Sequence, residues 1–467
     1  MKEVTIVSSG RSRTLLGGAV ASFVVCASLA ACSGASNSGL FGDVTEGGTG
    51  LEGSIPGAEG GPFEDGGGDG SKPCTGIECD KPACKDGETT SLRGKVYDPA
   101  GANVLYGVVV YVPSGPLAPL PKGASCDPCG GAITPAPLAV TRTDTKGEFV
   151  LTDVPVGAAV PIVIQTGKWR RTIEVPITKS CQANDAPDKL RLPRNGSEGE
   201  MPQIAVTTGG CDALECLLRG IGIDDKEFVP GASSAGHVHV FNGEGGQFPA
   251  APNAGGTTAA PLGGELWNSA AKLAPYDTLL LSCECSEAND NKGGAIGAAG
   301  ARQAMHDYAA SGGRVIASHY HYTWLKNSPQ TDWQQIANWT PSAGGASGAF
   351  DVDTSFARGK AFSDWLVSVN ASSTPGVITL QDVTNSMSSV NPPAQSWIKK
   401  GNDQVRYFSF ATPIGGAECG RVAFTDLHTS GISSGGGVFP TGCPSAGGLT
   451  AQQKALEFLL FDLASCK

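Results

Sequence analysis

Charge is scarce in this chain, and basic charge is scarcest. Asp, Glu, Lys and Arg make up only 16% of the residues, and the net charge is −11. A nucleic-acid surface needs concentrated Lys and Arg, so that partner class is excluded. Past residue 31 no apolar run is long enough to cross a bilayer, which excludes a helical membrane domain. Glycine and proline are plentiful instead, at 66 and 31 residues. With so little charge, they belong in linkers and long loops rather than in a highly charged disordered protein. A length of 467 residues leaves room for two or three domains.

The N-terminus carries Lys2, Arg11 and Arg13, then the apolar stretch TLLGGAVASFVVCASLAA, then Leu29-Ala30-Ala31-Cys32. A basic region, an apolar region and small residues before a cysteine mark residues 1–31 as an export signal. The LAAC tetrad resembles a bacterial lipobox. That resemblance implies a diacylated Cys32 as the mature N-terminus, with acyl chains holding the protein to a membrane without a spanning helix. An ordinary secretory signal cleaved nearby is the alternative. Ser33 follows the anchor where an aspartate would favour inner-membrane retention, so the expected location is the outer membrane or cell surface.

Export decides how the cysteines are read. Fifteen less Cys26 and Cys32 leave thirteen: Cys74, Cys79, Cys84, Cys126, Cys129, Cys181, Cys211, Cys216, Cys283, Cys285, Cys419, Cys443 and Cys466. In an oxidising compartment most should pair, and the odd count leaves at least one over. Residues 32–73 are nearly all Gly, Ser, Pro and acids, and are expected to form a flexible tether. CTGIECDKPAC follows within 74–88. Three cysteines without a nearby histidine make an incomplete zinc set, so a small disulfide knot is expected.

From 89 to 180 the pattern is all β. SLRGKVYDPAG and VLYGVVVYVPSG run for strand length and stop at Pro, Gly or Asp. In TRTDTKGEFVLTDVPVG, Asp144-Thr145-Lys146-Gly147 signals a turn, and Phe149 and Leu151 share a face. VPIVIQTGKWRRTIEVPI adds two strands, and the spacing predicts a small sandwich. The G-x-V-x-D-x-x-G opening and the T-D-x-x-G-x-F-x-L-x-x-V-P-x-G hairpin resemble the carboxypeptidase regulatory-like domain over some 90 residues. The resemblance implies a transthyretin-like sandwich of the carbohydrate-binding-like class. The long insert PSGPLAPLPKGASCDPCGGAITPAP departs from that pattern. Its Cys126 and Cys129 form a CxxC in a Pro- and Gly-rich loop rather than at a helix start, so a disulfide staple is expected and not a redox motif.

After a linker at 181–202, the period changes over 203–467. QIAVTTGG, HVHVF, DTLLLS, RVIAS, VRYFSF and RVAFTDL read as strands. CDALECLLRGIG, GARQAMHDYAASGG and LTAQQKALEFLLFDLA read as helices. This alternation predicts an α/β doubly wound parallel sheet. Ligands of such sheets bind beyond the carboxyl ends of the strands, which gathers Thr207–Cys211, Ser282–Glu287, Ser318–His321 and Asp426–His428 at one edge. The runs YAASGGRVIASH and GRVAFTDLH and the final helix resemble the class I glutamine amidotransferase-like superfold, and within it the ThuA-like proteins, loosely over about 250 residues. A glutaminase needs a cysteine at the strand-to-helix elbow. This chain has Ser318-His319-Tyr320 there, so amidotransferase activity is not expected.

GGRVIASHYHYTWL holds the main candidates. On an extended segment, residues i and i+2 share a face, so His319 and His321 can chelate a divalent metal, completed by His428 and by Glu284 or Glu287. Tyr320, Tyr322 and Trp324 make the same stretch an equally good aromatic ligand platform. Ser318 and His319 point to opposite faces and should not form a dyad. His237 and His239 lie within a strand, where ordinary hydrogen bonding is expected, and Cys283 and Cys285 are expected to join disulfides. In the sandwich, Trp169, Arg170 and Arg171 suit a glycan or an anionic polymer, or else a strand edge guarded by charge. The leading expectation is a lipid-anchored envelope protein that binds a glycan or another envelope component without catalysis or cofactor. A metal-dependent hydrolase at the histidines and a structural envelope module are the alternatives.

Overall fold

The structure is a computed structural model that describes residue 74 and residues 76–465, except 127–132, 134, 232, 245–261, 294–299, 402–403, 430–438, 440–442 and 444. The export signal, Cys32, the tether, Cys129 and Cys466 lie outside the described residues. Among the described residues no helix is long and apolar enough to cross a membrane.

Eight short strands form the first half: β1 (Ser91–Tyr97), β2 (Val109–Val112), β3 (Ala139–Arg142), β4 (Glu148–Thr152), β5 (Gly157–Thr166), β6 (Trp169–Ile177), β7 (Ala183–Asp185) and β8 (Leu190–Arg191). They make two four-stranded sheets, one ordered β4-β1-β7 with β8 also on β1, the other β3-β2-β5-β6. Leu92, Val96, Phe149 and Leu151 from the first sheet share a buried core with Val110, Val112, Ile162 and Ile164 from the second. The turn at Asp144 forms as its sequence dictates. The Asp144 carboxylate accepts from the N–H groups of Lys146 and Glu148, each at 2.8 Å, and Gly147 takes φ 68°. Yet the flanking strands do not pair as a hairpin: β3 bonds to β2 and β4 to β1, so the turn carries the chain between sheets. The stretch 181–202, read as a linker, is part of this half, since β7 and β8 both pair with β1.

The second half is one ten-stranded sheet. Its strands are β9 (Ile204–Thr207), β10 (Phe228–Pro230), β11 (Val238–Phe241), β12 (Thr278–Leu281), β13 (Arg314–Ser318), β14 (Ala337–Val352), β15 (Val377–Val390), β16 (Gln395–Lys399), β17 (Val405–Thr412) and β18 (Gly420–Thr425). They lie in the order β10-β11-β9-β12-β13-β18-β17-β16-β14-β15. From β10 to β18 every pairing is parallel. β9, β11 and β12 are buried at every position, as a parallel sheet covered on both faces requires. The chain starts at β9, builds β10 and β11 on one side, then crosses to β12 and β13 on the other. The strand order therefore reverses beside β9, where open α/β sheets take their ligands. The sequence did not announce the antiparallel extension from β17 to β15, whose outer pair β14–β15, connected through the helix Ala357–Ser368, slips register four times.

The two halves share one core. The C-terminal helix Ala451–Ala464 sets Phe461 edge-on to Trp169 at 5.8 Å and Phe458 against Tyr106 at 6.1 Å. Trp365 Nε1 donates to the Val104 carbonyl at 2.7 Å, and Lys168 pairs with Asp277 at 2.6 Å. Cys126 is bonded to Cys419 rather than to Cys129, so the insert is stapled to the α/β sheet and not to itself. Cys74 pairs with Cys79, but Cys84 reaches Cys181, which opens the expected three-cysteine knot. Cys211–Cys285 and Cys216–Cys443 close two further loops.

Candidate metal centre

Three adjacent parallel strands end at one place. Cys283 lies two residues past β12, His319 one residue past β13 and His428 three residues past β18. Neighbouring strands stand about 4.8 Å apart, so side chains leaving three successive strand ends meet without any long loop. One ligand-type atom from each of Cys283, His319 and His428 lies within 4.8 Å of the other two. All three side chains are buried. The Cys283 sulfur is 3.4 Å from Nδ1 of His319, and the rings of His319 and His428 meet edge-on at 5.2 Å.

His319 gets there through a kink. Its φ is +42°, and the chain passes from β13 into the tight helical turn His319–Tyr322. This is the strand-to-helix elbow, with an imidazole at its tip. The kink also overturns the expected pairing of His319 with His321, which assumed an extended segment. His321 turns away: Nε2 donates to the Ser282 carbonyl at 2.9 Å, and Nδ1 accepts from Trp324 Nε1 at 3.0 Å. Both ring nitrogens are used, so His321 is not a metal ligand. Glu284 and Glu287 are equally committed. Glu284 pairs with Lys292 and accepts from the Glu244 N–H at 3.0 Å, and Glu287 accepts from the Tyr322 hydroxyl at 2.6 Å.

His428 is the opposite case. It is 0% exposed, and neither ring nitrogen has a hydrogen-bond partner among the described residues. A buried polar atom left unsatisfied costs about 1–3 kcal/mol, so an imidazole with two such atoms calls for a partner that the described residues do not supply. Cys283 is likewise alone, the free cysteine among the described residues. The expectation that it joins a disulfide is wrong, because Cys285 is taken by Cys211 and the Cys283 sulfur faces inward toward the elbow.

Burial governs the electrostatics. It pushes the Cys283 thiol up to about 12, against a smaller opposing pull from the N–H groups of Cys285 and Tyr320. Burial likewise drives His319 down to about 3, with the charges of His428 and His321 adding to the shift. Both shifts favour the neutral forms, thiol and imidazole. The surrounding acids hold the frame. Asp212 accepts from Ser318 Oγ, Thr429 Oγ1 and the Thr429 N–H at 2.8 Å each. Asp426 accepts from the Ser386 N–H at 2.8 Å, Ser386 Oγ at 2.6 Å and Thr384 Oγ1 at 2.9 Å. Ser318 thus serves Asp212 and forms no dyad with His319. His239 lies within β11 and is hydrogen-bonded to Tyr276 at 3.0 Å, whereas His237 falls one residue before the strand and is hydrogen-bonded to Glu227 at 2.6 Å.

Both aromatic platforms fail for the same reason. Trp324 and Tyr322 are core residues, Trp324 standing edge-on to Trp267 at 5.1 Å, and only Tyr320 of that stretch is partly exposed. Trp169 is 1% exposed beneath Phe461. Arg170 is buried, paired with Glu200 and donating to the Ala118 carbonyl at 2.6 Å, while Arg171 donates to the Arg191 carbonyl at 3.3 Å. No sugar ring can reach that indole.

A cysteine and two histidines with one atom each inside a 4.8 Å circle form a donor set for a soft or borderline ion. With metal–sulfur and metal–nitrogen bonds of roughly 2.3 and 2.0 Å, a shared ion puts the two donors about 3.5 Å apart, and Cys283 and His319 already stand at 3.4 Å.

No protein-family model and no curated protein matches the chain. Solved structures similar to it include a cytoplasmic protein from Salmonella typhimurium LT2, 10% identical, covering 48% of this chain and 86% of that one at a TM-score of 0.28. PurLQS from Thermotoga maritima is 7% identical and covers 56% and 99%, also at 0.28. A ThuA-like protein from Bacteroides uniformis is 11% identical and covers 48% and 82% at 0.25. Likenesses at such scores carry no weight on their own, and the α/β architecture rests on the strand order itself.

Proposed function

We propose that this chain is an exported, lipid-anchored envelope protein whose α/β domain binds one transition-metal ion through Cys283, His319 and His428. The observation that carries it is the wholly buried imidazole of His428, whose two nitrogens have no partner among the described residues, with a free thiol and a second imidazole inside 4.8 Å. A bound ion would deprotonate the Cys283 thiol and fix the tautomers of both histidines. Export is supported by five disulfides among the described residues, a density foreign to a reducing compartment. The carboxypeptidase regulatory-like identity of residues 89–180 and the ThuA-like identity of the α/β half belong to the same proposal and rest on their sequence motifs. Thiol-based amide hydrolysis receives no support: the elbow residue is His319, and the nearby thiol is held protonated by burial.

Elemental analysis of protein purified without a metal-affinity tag tests the reading, with Cys283→Ser and His428→Gln alongside. About one equivalent of metal per chain, lost in both variants, is the expected result. Wild-type protein that stays metal-free after incubation with zinc and copper salts would sink it. Incorporation of a labelled fatty acid, abolished in Cys32→Ala, checks the anchor.

A further inference from the structure

We propose that the ion is copper, held in a three-coordinate plane of one thiolate and two imidazoles. This rests on the metal-binding reading above and narrows it to one element. The donor set excludes hard cations first: magnesium and calcium take oxygen ligands, and among the described residues no carboxylate joins the group. The acids close enough to bear on Cys283 are Asp212 and Asp426. The first is engaged with Ser318 and Thr429, the second with Ser386 and Thr384. Glu284 is tied to Lys292. A structural zinc site needs four protein ligands, and the described residues provide three. A catalytic zinc site keeps an open position that water and substrate reach, whereas Cys283, His319 and His428 are all at most 2% exposed.

What remains is the trigonal thiolate–bis-imidazole set that copper accepts, and copper outranks zinc for nitrogen and sulfur donors at equal geometry. Two further details fit. The backbone N–H groups of Cys285 and Tyr320 bear on the sulfur, the kind of contact that tunes a copper–thiolate bond. The Cys211–Cys285 bond and the elbow at His319 fix the backbone on either side of the thiol, so two of the three donors are positioned before an ion arrives.

The test is competition on tag-free, metal-stripped full chain dialysed against equal copper(II) and zinc(II), followed by elemental analysis and visible absorption. Expected are one copper per chain, at least tenfold more copper than zinc, and a thiolate-to-copper absorption band. The band should vanish in Cys283→Ser and lose intensity in His428→Gln, which keeps the side-chain volume. One equivalent of zinc with copper excluded would overturn copper and leave the metal site standing. Uptake of neither metal above the Cys283→Ser level would overturn both.

Discussion

The sulfur of Cys283 sits 3.4 Å from Nδ1 of His319, across the gap between the ends of two neighbouring parallel strands. The thiol is therefore beside the elbow and not on it. The fold has a sharp strand-to-helix turn of the kind on which some α/β enzymes expose a nucleophile, and here presents an imidazole on it to a buried sulfur from the next strand.

That placement predicts the reactivity of the thiol. Burial holds it protonated, with an ionisation near 12, and nothing reaches it from outside. In native protein at pH 8 Cys283 should resist a small alkylating reagent, and it should react on denaturation without reductant. Mass spectrometry of the labelled peptide gives the answer. Fast native labelling of Cys283 would mean that the cluster is open.

Gly209 predicts a packing effect. The loop after β9 runs so close to β12 that a Cβ on Gly209 would lie 2.1 Å from the Cys283 carbonyl oxygen, next to the 3.0 Å bond from the Cys211 N–H to that same oxygen. Gly209→Ala must push the loop off the strand end. A loss of about 1–3 kcal/mol is expected, with metal uptake reduced as Cys283 shifts. An unchanged melting temperature together with full metal content would contradict the close approach.

Asp98 and Glu457 predict a pH dependence at the join of the two halves. Each has one buried carboxyl oxygen without a hydrogen-bond donor, and Asn103 Nδ2 donates to the other oxygen of Glu457 at 2.7 Å. Burial raises Asp98 to about 6; burial and then the Asp98 charge raise Glu457 well above the usual carboxylate range, and Lys454 opposes this weakly. Groups raised on folding stabilise the folded state below their unfolded values near 4, and that contribution is lost as pH climbs through the folded ones. Glu457→Gln removes one of the two charges. Relative to wild type it should gain stability as pH climbs from 4 to 8, since the wild-type chain must there ionise a carboxyl that burial holds protonated. A difference that stays flat over that range, followed by thermal melts, would show that folding does not raise the ionisation of Glu457.

Trp169→Ala should behave as a core mutation. Its ring is enclosed between β6 and the C-terminal helix, so the expected cost is about 3–5 kcal/mol, seen in denaturant titration. Loss of glycan binding at unchanged stability would restore the exposed site that the sequence suggested.

How much of this could be read from residues alone depends on where the information lay. The strands β9, β12, β13 and β18 declared themselves by short apolar runs ending in polar or glycine residues, and the rule that α/β sheets work at their carboxyl ends brought His319 and His428 together. Cys283 was within the same reach, since an odd cysteine count required one unpaired thiol. Which one it was depended on Cys211 reaching Cys285, a pairing that spacing does not encode. His321 was misplaced because the i, i+2 rule holds for extended backbone, and His319 breaks that backbone at its first step. The long strand β14 gave no signal, as its small-residue run PSAGGASGA has neither alternation nor bulk. Trp169 looked exposed beside two arginines because the helix that covers it comes from the far end of the chain.

The central place of β18 has a consequence for how the centre comes into being. The strand inserts between β13 and β17, yet it belongs to residues 420–425 of 467. A growing polypeptide reaches His428 only after β12 and β13 have both been made. Until β18 is placed, the middle of the sheet lacks a strand and Cys283 and His319 have no third neighbour at their strand ends. Any ion held by all three residues must therefore arrive after the sheet has closed around β18.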